Sequence, residues 1–212
     1  TVTTRAGRDK KADDLVNRQF TVEAPDRVWV VDFTYVRTNS GFSYTAFISD
    51  LFAARILGWA TSSRANQNLV DQALLMAIQT RASQDHPLLV GPDLPEEMKV
   101  IHHGDAGSVY TSGEYTQTLE LEGLRPSIGT IGDAYDNAAA ESLIGLYKTE
   151  ATRPDSPFRT GPLNDASDVE YVTASWVHWY NAERIHTKAG NMAPIKAENQ
   201  YYQNSAQHRA AA

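Results

Sequence analysis

The chain has 212 residues, 42% of them apolar, which suffices for one domain with a sizeable core. It has no cysteine, so disulfides, thiol catalysis and cysteine-based zinc sites are excluded, and no apolar run approaches the roughly 20 residues that span a bilayer. With 19 Lys and Arg against 26 Asp and Glu the net charge is −7. That total argues against a protein that coats nucleic acid, but not against a DNA enzyme whose metal site needs carboxylates.

Residues 1–27 are polar and carry Arg5, Arg8, Lys10, Lys11 and Arg18. They read as a linker or arm, with a turn of helix around Asp13–Arg18, in a chain that begins with threonine and so reads as a piece of a longer protein. The stretch from Val28 is rich in Val, Ile, Phe, Tyr and Trp, with "TNSG" between two strand-like runs as a hairpin turn. A second turn within "FISDLFAARILGWAT" completes a three-stranded meander. The period then changes: Leu69, Ala73, Met76 and Ala77 share one helical face, opened by Asn66 or Asn68 as a cap.

A Pro-marked loop leads to a short strand, "MKVIHH", then a helix over "SGEYTQTLELEG" and a strand "LRPSIG". After the loop "GTIGDAYDN" come a long helix "AAAESLIGLYKTEA", a Pro-rich loop, and a last helix "DASDVEYVTASWVHWYNAERIH". The order β-β-β-α-β-α-β-α-α predicts an α/β fold with a mixed five-stranded sheet, three strands antiparallel and two parallel, flanked by helices. Residues 203–212 read as a disordered polar tail.

Three carboxylates stand out. Asp32 interrupts the apolar strand "VWVVDFTYV", where it is either buried at a cost that needs a partner or solvated by strand alternation. Asp105 follows the strand "KVIHH", where loops at strand ends build sites, although "GDAG" is also an ordinary turn. Glu141 lies on a helix, where a lone glutamate is usually solvated. Taken together they carry more, because 35 residues separate Asp105 from Glu141 and each sits in a distinctive phrase: "VWVVDFTYV", "IHHGDAGSVYTS", "GDAYDNAAAESLIGLYKTE".

With "WYNAERIH", these phrases resemble the integrase-core transposases of bacterial insertion sequences of the insertion-sequence-three type, within the retroviral integrase superfamily. The resemblance runs from about Val28 to Tyr202 and implies a ribonuclease-H-like catalytic core over 28–202. It places Asp32, Asp105 and Glu141 on the family's Asp-Asp-Glu triad. It also implies two divalent metal ions, Mg²⁺ or Mn²⁺, which suit hard carboxylate ligands. The implied activity is cleavage that frees a 3′-hydroxyl at an element end, followed by strand transfer. The implied partners are the DNA of element ends and target and further copies of the chain, in a bacterial cytoplasm at the nucleoid.

Lys148 shares a helix face with Glu141 and by resemblance meets DNA; otherwise it is an exposed lysine on an amphipathic helix. Asn181, Arg184 and His186 are expected near DNA, unless Arg184 pairs with Glu170 or Glu183 and the segment packs on the sheet. Asn137 caps its helix or stands beside the metals. Gly145, unfavourable in mid-helix, implies close packing or DNA approach. Adjacent strand residues face opposite ways, so His102 and His103 do not share an ion, and His103 is expected to support the site. A ribonuclease-H-like nuclease without strand transfer, and a DNA-binding or dimerising fragment inactive without an amino-terminal region, are the alternatives.

Overall fold

A computed structural model describes residues 12–84, 94–107, 109–110, 112–129 and 137–210. Strand β1 (Val28–Thr38) turns through Asn39 and Ser40 into β2 (Gly41–Asp50), and the two pair antiparallel from Trp29↔Asp50 to Thr38↔Gly41. Gly41, at φ +125°, supplies a backbone conformation that a side chain would strain. Strand β3 (Arg55–Ser62) continues the meander. Strands β4 (Ile101–Gly104) and β5 (Arg125–Ile128) extend the sheet in parallel, in the order β3-β2-β1-β4-β5. The five strands and their directions are those the sequence pattern predicts.

Each face of the sheet carries a core, as strand alternation requires. Trp29, Val31, Ala46, Ile48 and Leu57 pack against helices α1 (Gln67–Ala82) and α2 (Gly113–Leu121). Val36, Phe47 and Ile56 pack against α3 (Ala138–Leu146), the π-helical turn 147–151 that follows it, and α4 (Ala166–Ala182). Asn66 is the cap of α1, its side chain accepting from the Leu69 N–H. Leu69, Ala73 and Ala77 are buried as expected, whereas Met76 lies at the rim and Val70 and Leu74 complete the face. Gly58 lets α1 lie on β3, because a Cβ there would stand 2.0 Å from the Ala73 carbonyl oxygen.

Two segments differ from expectation. Residues 12–27 are not a free arm: Val16 is buried, and Phe20 and Val22 pack against Val28, Val30 and Leu51. A fifth helix, α5, runs from Pro194 to Ala210, across a stretch expected as loop and tail. Its composition is too polar for a helical pattern to show. What docks it is a buried ion cluster in which Arg81, 2% exposed, meets Glu198 at 2.8 Å, Asp26 at 2.8 Å and Asp50 at 3.1 Å. Burial pushes the Asp50 carboxyl up to about 7, with Arg81 only partly opposing it. Among the described residues, no helix is long and apolar enough to cross a membrane.

Candidate active site

The parallel pairing of β1 with β4 stops at Val30↔His103, so the second half of β1 runs on beyond the end of β4. Asp32 occupies this step. Its side chain is half-buried and Oδ1 accepts the Phe33 N–H at 2.8 Å. Asp105 follows β4 directly, exposed, with Oδ1 accepting the Gly107 N–H at 2.8 Å in a tight turn. Gly107 leaves room for that turn, since a Cβ there would stand 2.7 Å from Asp105 Oδ1. Gly104 lies so close to Val31 and the Tyr110 ring that a Cβ would reach them at 3.0 and 3.3 Å. The glycines around Asp105 thus serve close packing and the turn.

Glu141 is exposed one turn into α3. Asn137 occupies the cap position but does not cap with its side chain: it is buried, and Nδ2 donates to the Val31 carbonyl at 3.3 Å. This bond fixes the start of the Glu141 helix to the residue preceding Asp32.

Electrostatics link the three carboxylates. Burial is the main reason the Asp32 carboxyl is pushed up from 3.8 to about 7; the Phe33 N–H opposes it, the charges of Asp105 and Glu141 add to it, and Lys148 lowers it. The charges of Asp105, Glu141 and Lys148 therefore all reach Asp32 at the step in the sheet. The carboxylates are not gathered around a point: among the described residues, no three His, Asp or Glu side chains are close enough to hold a metal ion. Mutual repulsion between carboxylates opposes such gathering without a cation.

Tyr110 belongs to this neighbourhood, although the sequence pattern gave no reason to choose it. Its ring is buried against Phe33 and Tyr115, and among the described residues its hydroxyl has no hydrogen-bond partner. Burial pushes its pKa well above the ordinary tyrosine value, and Asp32, Tyr115 and Asp105 raise it further, so the hydroxyl keeps its proton. An aromatic five residues beyond a candidate carboxylate was the one available signal.

The two histidines do face opposite ways. His102 is buried with Nε2 2.6 Å from the Tyr115 hydroxyl, and burial, aided by His103, lowers it to about 3, so the imidazole is neutral. His103, in register with Val30, lies on the Asp32 face, with Nδ1 2.8 Å from Ser127 Oγ and 3.8 Å from Asp14. Ser127 Oγ also accepts the Leu15 N–H, so His103 helps hold β4, β5 and the amino-terminal segment together.

Of the residues expected at DNA, Lys148 is exposed, its ammonium 5.1 Å above the Tyr35 ring. The other three are engaged within the fold. Asn181 is buried and clamps edge strand β3, accepting from the Ile56 N–H at 3.0 Å and donating to the Ile56 carbonyl at 2.8 Å. Arg184 grips Glu150 with Nε and a terminal nitrogen, at 3.0 and 2.7 Å; its partner is thus neither Glu170 nor Glu183. His186 is buried edge-on to the Tyr180 ring at 4.4 Å. A phosphate would have to displace these partners. A Cβ at Gly145 would meet nothing within 4 Å, so packing within the chain does not require glycine there.

The family model described as Integrase core domain matches residues 22–134, just over half of the chain. The chain belongs to the integrase core domain family. A second integrase core domain model matches residues 122–194. A putative transposase for insertion sequence element IS986/IS6110 of Mycobacterium tuberculosis is 44% identical over 189 residues, covering 89% of this chain and 63% of that protein. The transposase for insertion sequence element IS629 of Shigella sonnei is 42% identical over 200 residues, 94% of this chain and 61% of that protein. The chain thus spans a little under two thirds of these relatives. The HTLV-2 integrase catalytic core domain, solved in complex with magnesium, shares the fold with a TM-score of 0.57 at 13% identity, over 83% of this chain and 97% of that one. The resemblance to insertion-sequence transposases with a retroviral-integrase-like core holds, and so does the ribonuclease-H-like architecture.

Proposed function

We propose that this integrase core is the catalytic part of a transposase that cleaves DNA at an insertion-sequence end and joins the freed 3′-hydroxyl to a target. One observation carries the proposal: Asp105 at the end of β4 and Glu141 on α3 lie near enough to Asp32 on β1 for their charges, and that of Lys148, to act on it. The HTLV-2 core solved with magnesium supports divalent metal use by this fold.

The donor set suits that group. Hard carboxylate oxygens are the ligands Mg²⁺ and Mn²⁺ take, and a half-buried aspartate raised chiefly by burial and further by two neighbouring carboxylates would gain from a cation beside it. Asp32, Asp105 and Glu141 would hold two such ions. When bound, the ions would supply activation of the attacking oxygen and charge neutralisation at the leaving oxygen.

The remaining work falls to the chain. Asp32, raised to about 7 mainly by burial, would give up its proton to serve as a ligand at neutral pH. Asn137 keeps the Glu141 helix in place against β1, and His103 keeps β4 and hence Asp105 in place. Lys148 leaves Tyr35 to bind a phosphate oxygen. In the first step a water oxygen forms a bond to phosphorus while the bond to the 3′ oxygen breaks, and that oxygen takes a proton. In the second, the 3′-hydroxyl oxygen attacks a target phosphodiester and displaces its 3′ oxygen in turn. No covalent enzyme intermediate arises. Double-stranded element ends and target are the partners, engaged by more than one copy of the chain.

The test uses labelled element-end duplexes, intact or pre-cleaved, with Mg²⁺ or Mn²⁺. Asp32→Asn, Asp105→Asn and Glu141→Gln should each abolish both cleavage and joining. Cleavage without joining of the pre-cleaved end would reduce the activity to a nuclease, and metal-dependent activity surviving all three variants would sink the proposal.

A further inference from the structure

Beyond the carboxylates, the same end of the sheet carries an exposed aromatic surface. Tyr35 is 57% exposed and Phe42 52% exposed, and their rings meet edge-on at 5.3 Å. The β1–β2 register sets Tyr35 opposite Tyr44 and Arg37 opposite Phe42, so all four share one face of the hairpin. Tyr44 is half-buried against the core and roots the patch, whereas Arg37 is exposed. Tyr35 lies three residues along the strand from Asp32 and so, by alternation, on the other face of β1, but the lysine whose charge acts on Asp32 reaches over its ring.

Leaving two large adjoining aromatics in water is unfavourable by the area they could bury, and isolated exposed residues would need no such pairing. Aromatic rings interleaved with cations are the surface on which unpaired nucleic acid binds, bases stacking on rings while Arg and Lys meet the backbone. We propose that Tyr35 and Phe42, with Arg37 and Lys148, form a subsite for unpaired DNA, stacking bases of the strand whose phosphate lies at the carboxylates. In the unliganded protein Lys148 covers part of the Tyr35 ring. When its ammonium moves to a phosphate, that ring face opens to a base. The patch thus favours DNA ends that are already frayed next to the reactive phosphate. This rests on the reading of Asp32, Asp105 and Glu141 as a DNA-processing site.

The test is equilibrium binding, with Ca²⁺ present, to a short duplex whose end carries a few unpaired nucleotides including the fluorescent base aminopurine. A fully paired duplex of the same length is the comparison. The protein should bind the frayed end more tightly and quench its fluorescence. Tyr35→Ala should weaken that binding roughly tenfold, the loss of one stacked base, and abolish the quenching. Tyr35→Phe should retain both, and affinity for the paired duplex should change less than twofold in either variant. Phe42→Ala should weaken frayed-end binding in the same way. Equal losses on both duplexes, or none, would overturn the subsite, as would absence of quenching by the unmodified protein. Concentration-dependent self-association lost in Tyr35→Ala would also overturn it, in favour of contact between copies. Metal-dependent cleavage of the paired duplex, measured alongside, separates the two readings: if it is retained while quenching fails, the subsite falls and the catalytic assignment stands.

Discussion

Replacing Asp32 with asparagine should stabilise the metal-free protein at neutral and higher pH while removing its activity. The carboxyl is raised from 3.8 to about 7, burial being the largest cause and the charges of Asp105 and Glu141 adding to it. The folded state therefore holds this proton over a range in which the unfolded chain has released it. Stability from this group is fully present below pH 4 and is lost as pH rises through about 7. The whole interval is worth about 4 kcal/mol at 1.36 kcal/mol per tenfold; water at this half-buried site reduces it, so roughly 2–3 kcal/mol should be recovered in the variant. Asparagine retains an Oδ1 acceptor for the Phe33 N–H, so little else changes. Denaturant titrations without metal should show Asp32→Asn and the parent alike near pH 4, with the variant more stable by that amount near pH 8. A divalent cation at about ten times its Kd should then raise the parent by about 1.4 kcal/mol and leave the variant unmoved. A variant less stable than the parent at pH 8, or a difference independent of pH, would refute the reasoning.

The ion cluster beneath α5 gives a second test: Glu198→Ala leaves Arg81 buried with weakened compensation and should lose about 3 kcal/mol. Amide exchange should accelerate across α5 before the sheet, and unchanged protection of that helix would count against the docking role. Gly58→Ala should lower stability by at least about 3 kcal/mol in thermal unfolding, because the new methyl meets backbone atoms of Ala73 and Ala77 that cannot yield. Asn181→Ala removes both bonds to the Ile56 backbone and should lose about 2 kcal/mol, with no change in the salt dependence of DNA binding. Lys148→Ala, by contrast, should reduce the slope of log K against log salt by about 1 while hardly moving the melting temperature.

The amino-acid order determined the strands and most helices by itself, because their signals are local. Alternation in "VWVVDFTYV", a cap at Asn66 and the two-residue turn at Asn39–Ser40 are each set by neighbours in sequence. The proposed triad rests on three separated phrases and their spacing, not on any one carboxylate. What the sequence could not show were relations between distant segments: Asn137 tied to Val31, Arg184 to Glu150, Asn181 to Ile56, and polar α5 held by Arg81 and Glu198. A polar side chain looks the same in sequence whether it will meet a phosphate or a buried partner far along the chain. Only the fold supplies that partner, and desolvation then makes the choice energetically decisive. The raised Asp32 carboxyl arises in the same way, since neither its burial nor the approach of Asp105 and Glu141 exists until β1, β4 and α3 are assembled.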